Sequence, residues 1–393
     1  MEGNCIKLSN GAAVRKGRNP WIECCRVLAS FAVIMSHCKL PGTVGSVIDC
    51  LDRFSVPFFF MVSGYFVYQA TEETIRKRTR GILKMNILAT LLYLVWGCYK
   101  HRYIYEQSVL SWLKDRLSLE RLAKWFLICE NPFAEHLWYL TAMLVCYILF
   151  ILYVRWYKEP GHYKNLYLVG LYLFVIHFVL SSGGNAAGFY VPIEVFRNGL
   201  LYGLPMFSLG LFLREHEHHI LETYRLTTGK LVAIIFAGAA FSLLEWFGIG
   251  IVEMPIAILP TVISLILLLT SLHTSTIKSQ TVHRIVSHFA DLSAYVYVSH
   301  IIWKDIYKYY LQPYFFPSIQ RESDYIRPFV VIILSVLTGY CWMLLKALEE
   351  KIGPEAVKNM VREIAGCQVR FTECLDAKTL AAIHERALTL LEA

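Results

Sequence analysis

Ten runs of roughly twenty apolar residues recur along the chain, and nothing else in the sequence limits its fold as tightly. An apolar run of that length spans bilayer hydrocarbon as one helix. The runs lie at 21–40, 54–70, 82–99, 136–154, 165–181, 199–213, 230–250, 254–272, 291–310 and 328–346. Hydrocarbon offers no partner to a bare peptide group, so each run must satisfy its own backbone as a helix. The expected fold is all-α, a polytopic integral membrane protein of about ten transmembrane helices. A soluble chain is excluded by 56% hydrophobic against 17% charged residues, where soluble domains carry about a quarter charged.

An even number of crossings returns both termini to one side, and the basic residues choose that side. The tail 1–20 (Lys7, Arg15, Lys16, Arg18), the connection 71–84 and the connection 155–164 (Arg155, Lys158, Lys164) fall together. The positive-inside rule makes that side cytoplasmic. The first run is long enough to remain as an anchor. The segment 100–135 falls outside despite Lys100, Arg102, Lys114, Arg116, Arg121 and Lys124; its stretch SVLSWLKDRLSLERLAKWFL reads as an amphipathic helix on the outer surface of the bilayer. Three regions follow: a basic tail 1–20, a ten-helix domain 21–346, and a cytoplasmic appendage 347–393 of two short helices. The appendage has the look of a small helical add-on or of a dimerisation element, the second of which would make a homodimer. The net charge of +8 fits basic connections. The bilayer is the expected partner, and no basic groove with interleaved aromatics points to nucleic acid.

Of eleven cysteines, Cys24, Cys25, Cys38, Cys98, Cys146 and Cys341 lie within or at the ends of apolar runs and read as packing residues. There is no CxxC pattern, and no metal site is read. Cys50 and Cys129 both fall on the outer side, where a disulfide could persist.

Three constellations carry chemistry. The first is in WIECCRVLASFAVIMSHCKL, where Glu23, Arg26 and His37 interrupt an apolar run. Ionisable groups in hydrocarbon are costly and point to function. Arg26 and His37, eleven residues apart, fall within roughly 20° of one helical face and about 16 Å apart along the axis. Ser30 joins that stripe, and Glu23 is spaced to meet the Arg26 guanidinium. The stripe reads as an acid/base histidine with a cationic anchor nearer the cytoplasm; the competing reading is an interfacial ion pair and a structural histidine.

The second is RKRTR at 76–80, with Arg76, Lys77, Arg78 and Arg80. It reads either as an orientation signal touching anionic lipid or as a clamp for the phosphates of coenzyme A. The third is a set of polar and aromatic residues within apolar runs: Ser63 and Tyr65, His136, Trp138 and Tyr139, Arg197, and Ser293, Tyr297 and His300. The last three share a face, because seven residues return a helix to within roughly 20°. Together they imply a wet cavity between helices around His37.

Arg26 followed by ten residues and His37, then SVPFFFMVSGYF, a basic connection, HLWYL and YVYVSH together resemble acyltransferase family 3, over about Trp21 to Trp342. The resemblance implies ten helices and transfer of an acyl group, commonly acetyl from acetyl-CoA in the cytoplasm, to a hydroxyl or amine of an envelope sugar, glycan or other small acceptor. It implies residence in the bacterial inner membrane. His37 and Arg26 match the family's Arg-X10-His motif, and Glu23 takes the place of its usual acidic residue. The family's Arg-X-X-Arg appears as Lys77-Arg78-Thr79-Arg80, so a point charge replaces one planar fork. On this reading acetyl-CoA is co-substrate, its phosphates on Arg76, Lys77, Arg78 and Arg80. Ser63, Tyr65, Trp138, Arg197, Tyr297 and His300 would bind substrate. His37, helped by Arg26 and Glu23, would deprotonate the acceptor or carry the acyl group itself. The alternative is a transporter of a small amino acid or acylated product, as in the membrane domain of vancomycin-resistance serine racemases.

Overall fold

The computed structural model describes residues 19–157, 163–189, 191–250, 253–272 and 280–352. The basic tail to residue 18, and the appendage from residue 353 with the helix pair expected there, lie outside the described residues. Every described element is helical: no strand occurs among them. The chain divides into two units, 1–336 and 337–393, and the site described below lies in the first.

Helix α1 (Pro20–His37) begins where chemistry favours it. Asn19 caps it, its Oδ1 accepting from the N–H groups of Trp21 and Ile22 at 2.9 and 3.4 Å, with proline at the first helical position. The Asn19 amide also donates to the Leu269 carbonyl at 2.9 Å, which ties this start to a distant helix. Next come α2 (Gly42–Leu51) and α3 (Ser55–Val67), joined through a 3-10 turn. The apolar runs gave no sign of α2, whose GTVGSVIDCL is short and interrupted; its buried Asp49 is held by Lys39 at 2.9 Å and Arg53 at 3.5 Å.

Helix α4 (Glu72–Tyr99) starts ten residues before the apolar run at 82. Thr71 caps it and Glu72 and Glu73 occupy its first turn. The basic run is therefore helix, not connection, and its residues are fixed in direction. The outer segment forms two short helices, α5 (Val109–Arg116) and α6 (Leu119–Ile128), because Ser118 caps a second start between them. Leu119, Phe126 and Leu127 stand exposed on α6 beside a Lys124–Glu120 pair at 2.7 Å, the amphipathic pattern expected, in two pieces.

The remaining long helices are α7 (Trp138–Tyr157), α8 (Lys164–Phe178), α9 (Leu204–Thr223), α10 (Thr228–Ile249), α11 (Ile258–Ser271), α12 (Gln280–Ile306) and α13 (Arg327–Ile352). Each of the ten apolar runs thus corresponds to a helix. Six helical stretches among the described residues are long and apolar enough to cross a membrane: Gly42–Val67, Glu72–Ile104, Glu135–Tyr157, Lys164–Ala186, Thr228–Gly248 and Arg327–Ala347.

Helix α1 packs on α3 and α12, α4 on α7, and α3 on α9. The last contact is backbone on backbone. A Cβ on Gly64 would stand 1.9 Å from the Phe207 carbonyl oxygen, and one on Gly210 1.9 Å from that of Met61. The buried core of Phe58, Phe60, Met61, Phe150, Phe207 and Leu211 surrounds it. Cys50 and Cys129 are both free and buried, with no disulfide between them. Cys129 ends α6 in the left-handed region, φ 65°, and packs with Cys146 in the core cluster; burial pushes its thiol pKa up.

Candidate active site

The stripe on α1 forms one wall of a cavity of about 410 Å³. Arg26, Ser30, Val33 and His37 come from α1, Val56, Phe59 and Ser63 from α3, and Arg78, Gly81, Ile82 and Met85 from α4. Helix α7 and the turn before it add His136, Trp138, Tyr139 and Tyr147, and α12 adds Ser293 and Tyr297. The volume falls within the range of small-molecule sites, about 300–1,000 Å³.

Its two ends differ in chemistry. At one end Arg26 pairs with Glu23, both carboxylate oxygens at 3.2 Å. Glu23 is 4% exposed and Arg26 32%, so the guanidinium keeps free donors toward the cavity. Arg78 enters from α4, donating to the Phe66 carbonyl at 2.9 Å and bonding the Tyr147 hydroxyl, which Ser63 also meets. Tyr147 had no sequence signal, because LVCYILF reads as plain packing.

At the other end three histidines pack together. His37 and His300 ring centroids lie 5.1 Å apart, His136 and His300 5.1 Å, and His37 and His136 6.1 Å. The Tyr297 hydroxyl donates to the His136 carbonyl, and Tyr93 packs edge-on against the His136 ring at 4.8 Å. His136 and His300 are buried, at 5% and 0% exposure. His37 is exposed, and the surface it exposes is cavity wall.

The basic run divides. Arg78 points into the cavity, whereas Arg76, Lys77 and Arg80 line an open groove with Glu72, Glu73 and Lys84. Gly81 borders both spaces, and a Cβ there would meet nothing within 4 Å. Arg76 is held by Glu72 at 2.7 Å, leaving Lys77 and Arg80 as the more available charges.

Three expected substrate residues stand outside the lining. Tyr65 turns toward α9, donating to Glu217 at 2.6 Å and accepting from Arg214 at 2.9 Å. Arg197 is spent on Glu135 at 2.5 Å and Glu253 at 3.8 Å, and its guanidinium lies 5.4 Å over the Trp138 ring, bracing that wall from behind. His300 lies behind His37. Ser63, Trp138 and Tyr297 line the cavity as expected. Among the described residues no group of three His, Cys, Asp or Glu side chains is arranged to hold a metal ion.

The acyltransferase family 3 model, described as an acyltransferase domain, matches residues 19–347, a stretch that includes the whole cavity. The chain belongs to this family. A serine/alanine racemase from Enterococcus gallinarum is 26% identical over 230 residues, covering 51% of this chain and 30% of that protein. The chain therefore matches under a third of the racemase's length. No solved structure matches. For this acyltransferase-family chain, the motif residues Arg26 and His37 sit at opposite ends of one cavity, as their helical spacing requires.

Proposed function

We propose that the protein moves an acetyl group from cytoplasmic acetyl-CoA to a hydroxyl or amine of an envelope sugar, glycan or other small acceptor, in a bacterial inner membrane. The observation that carries this reading is that Arg26, Arg78 and His37 line one cavity, and that of the three packed histidines His37 is the exposed one, while His136 lines the cavity but is buried and His300 lies behind.

The donor's phosphates rest on Lys77 and Arg80 in the groove, with Arg76 in support, and the pantetheine arm passes Gly81 to enter between Arg78 and Arg26. Both guanidiniums offer directional N–H donors to phosphate or carbonyl oxygen. The thioester then reaches His37, about 16 Å along α1 from Arg26. A neutral imidazole takes the acceptor hydroxyl proton as oxygen attacks the thioester carbon. Attack by His37 itself, through an acyl-histidine, uses the same residue and the same cavity. Trp138 and Tyr297 form the walls against which the acceptor lies. Ten crossings with both termini in the cytoplasm put the groove on the donor's side.

The test is calorimetric titration of the purified protein with acetyl-CoA, beside Arg78→Ala and a Lys77→Ala, Arg80→Ala double variant. The parent should bind, and each variant should lose at least about tenfold in affinity, the loss of one charge-assisted contact or more. A folded parent that does not bind acetyl-CoA removes the donor from the reading. Similarity to the serine/alanine racemase supports a second reading, passage of a small amino acid. It requires serine or alanine to cross vesicles in the absence of any acyl donor.

A further inference from the structure

A second space opens beside the turn that leads into His136. It holds about 460 Å³, within the range of small-molecule sites, and shares no lining residue with the cavity or the basic groove. Its walls come from the end of α4 and the residues after it, from α5 and α6, from residues 130–135 and from Glu194. Ten crossings would open it on the outer side. One turn serves both sites: Ala134 and Glu135 line this cleft, and His136 lines the cavity. Asn131 fixes that turn, its Oδ1 accepting from the N–H groups of Phe133 and Ala134 at 3.0 and 3.2 Å and its amide donating to the Thr90 hydroxyl at 2.9 Å.

One wall is aromatic. The Trp112 ring stacks on His101, centroids 4.6 Å apart at 22°, and lies so close on α4 that a Cβ at Gly97 would stand 2.3 Å from it. A sugar ring presents C–H bonds on one face, which buries apolar area against such a wall while its hydroxyls meet polar groups around it. The charges leave one group unmatched. Glu130 meets Arg121 at 3.2 Å, Glu135 meets Arg197 at 2.5 Å, and Glu194 lies within electrostatic reach of Arg197. Lys100 is held by Asp305 at 2.8 Å. Among the described residues Arg116 has Asp115 alone as ionic partner, at 3.7 Å, beyond hydrogen-bond reach, and its buried Nε has no hydrogen-bond partner. A guanidinium offers a planar fork of donors that matches a carboxylate or a phosphate.

We propose that this cleft binds the acceptor and that the acceptor is an acidic sugar, its ring on Trp112 and its carboxylate or phosphate on Arg116. The hydroxyl to be acylated is then directed past Ala134 and Glu135 toward His136 and the cavity. The inference rests on the acetyl-transfer reading and deepens it by naming the acceptor's chemistry. Binding energy from a part of the substrate that does not react holds the reacting hydroxyl in place. The Glu135–Arg197 pair stands at the junction, with Arg197 over the Trp138 ring that walls the cavity.

Equilibrium binding of radiolabelled glucuronate, glucose 6-phosphate and glucose is measured on the purified full chain in nanodiscs, with inorganic phosphate as competitor. Acetyl-CoA is titrated into the same preparation. At least one of the two acidic sugars should bind, and which one does so tells carboxylate from phosphate; glucose should bind at least about tenfold more weakly. Arg116→Gln should lose about tenfold in affinity for that acidic sugar, one charge-assisted contact, and Trp112→Leu about fivefold. Both should keep acetyl-CoA affinity within about twofold of the parent, which marks them as folded. Glu130→Gln, which releases Arg121, should raise sugar affinity about threefold, a gain that no misfolded variant gives.

Glucose binding as tightly as the acidic sugars, inorganic phosphate competing as well as the sugar itself, or unchanged affinity in Arg116→Gln would each overturn the proposal. Should Arg116→Gln fail to fold, Glu130→Gln decides, and without a gain there the proposal falls. A parent that binds acetyl-CoA but neither acidic sugar overturns this inference and leaves acetyl transfer standing. One that binds an acidic sugar but not acetyl-CoA overturns the donor reading and keeps the cleft.

Discussion

At the scale of single residues, the Glu23–Arg26 pair sets what substitutions in this cavity can report. Glu23 is almost fully buried, and Arg26 is its ionic partner at 3.2 Å. Removing the guanidinium leaves a buried carboxylate uncompensated, a change that costs about 3 kcal/mol. Arg26→Gln should therefore lower the melting temperature, and adding Glu23→Gln should restore most of it, because two neutral amides can bond each other. Acetyl-CoA affinity should stay low in both, since the charge that meets the donor is gone. If the double variant regains affinity as well as stability, Arg26 is structural. The face shared by Arg26 and His37 was legible from spacing alone, since helical periodicity fixes it. The placement of Tyr65 and His300 was not. Which side of a helix turns to a cavity and which to a neighbour depends on partners distant in sequence, here Glu217 for Tyr65 and His37 for His300.

At the scale of elements, α4 shows how a hydropathy reading errs in a predictable direction. The apolar run starts at 82, yet Thr71 caps the helix and its first turns carry Arg76 to Arg80. Apolar windows measure burial in lipid; capping residues and i, i+4 pairs such as Glu72 with Arg76 decide where a helix starts. Continuing the helix through the basic run splits it between groove and cavity, with Gly81 bordering both. Gly64, in the SGY of α3, is where two backbones meet closely, against Phe207 of α9. Gly81 is a different glycine, exposed and with open space where a side chain would stand. Gly81→Leu should leave the fold intact or raise stability by up to about 1 kcal/mol, the helix-propensity gain over glycine. It should nonetheless cut acetyl-CoA affinity at least fivefold by narrowing the passage, an order-of-magnitude expectation for one misfitting contact. Unchanged affinity in calorimetry would mean that the donor reaches His37 by another route.

At the scale of the whole membrane unit, the ten-crossing reading can be set against the side-chain pairings as well as against a count by hydropathy. Four helices fall short of the six apolar spans: α1 carries Glu23 and Arg26, α9 ends in a charged stretch from Arg214 to Glu222, α11 has 14 residues, and α12 carries Asp291, Lys304 and Asp305. Charged residues and short length lower the hydropathy of those four. The pairings among the connections up to residue 253 follow the alternation that ten crossings would give. Arg53, Glu135, Arg197 and Glu253, on four connections that ten crossings would place outside, form one ion-pair cluster. Arg155 meets Glu72 at 2.8 Å, and Arg78 bonds the Phe66 carbonyl, joining residues that ten crossings would place at the cytoplasmic end. Helix α4, with 28 residues, then runs about 42 Å from one side to the other. In a background without native cysteines, Ser108→Cys should react with a membrane-impermeant maleimide in intact cells, and Thr71→Cys only after permeabilisation. Residues 71 and 108 lie on either side of α4 and are exposed on the protein surface, so their labelling reports sidedness. Labelling of Thr71→Cys in intact cells would invert the orientation. It would turn the basic groove away from cytoplasmic acetyl-CoA, and the donor site could not be where Arg78 and Gly81 open it.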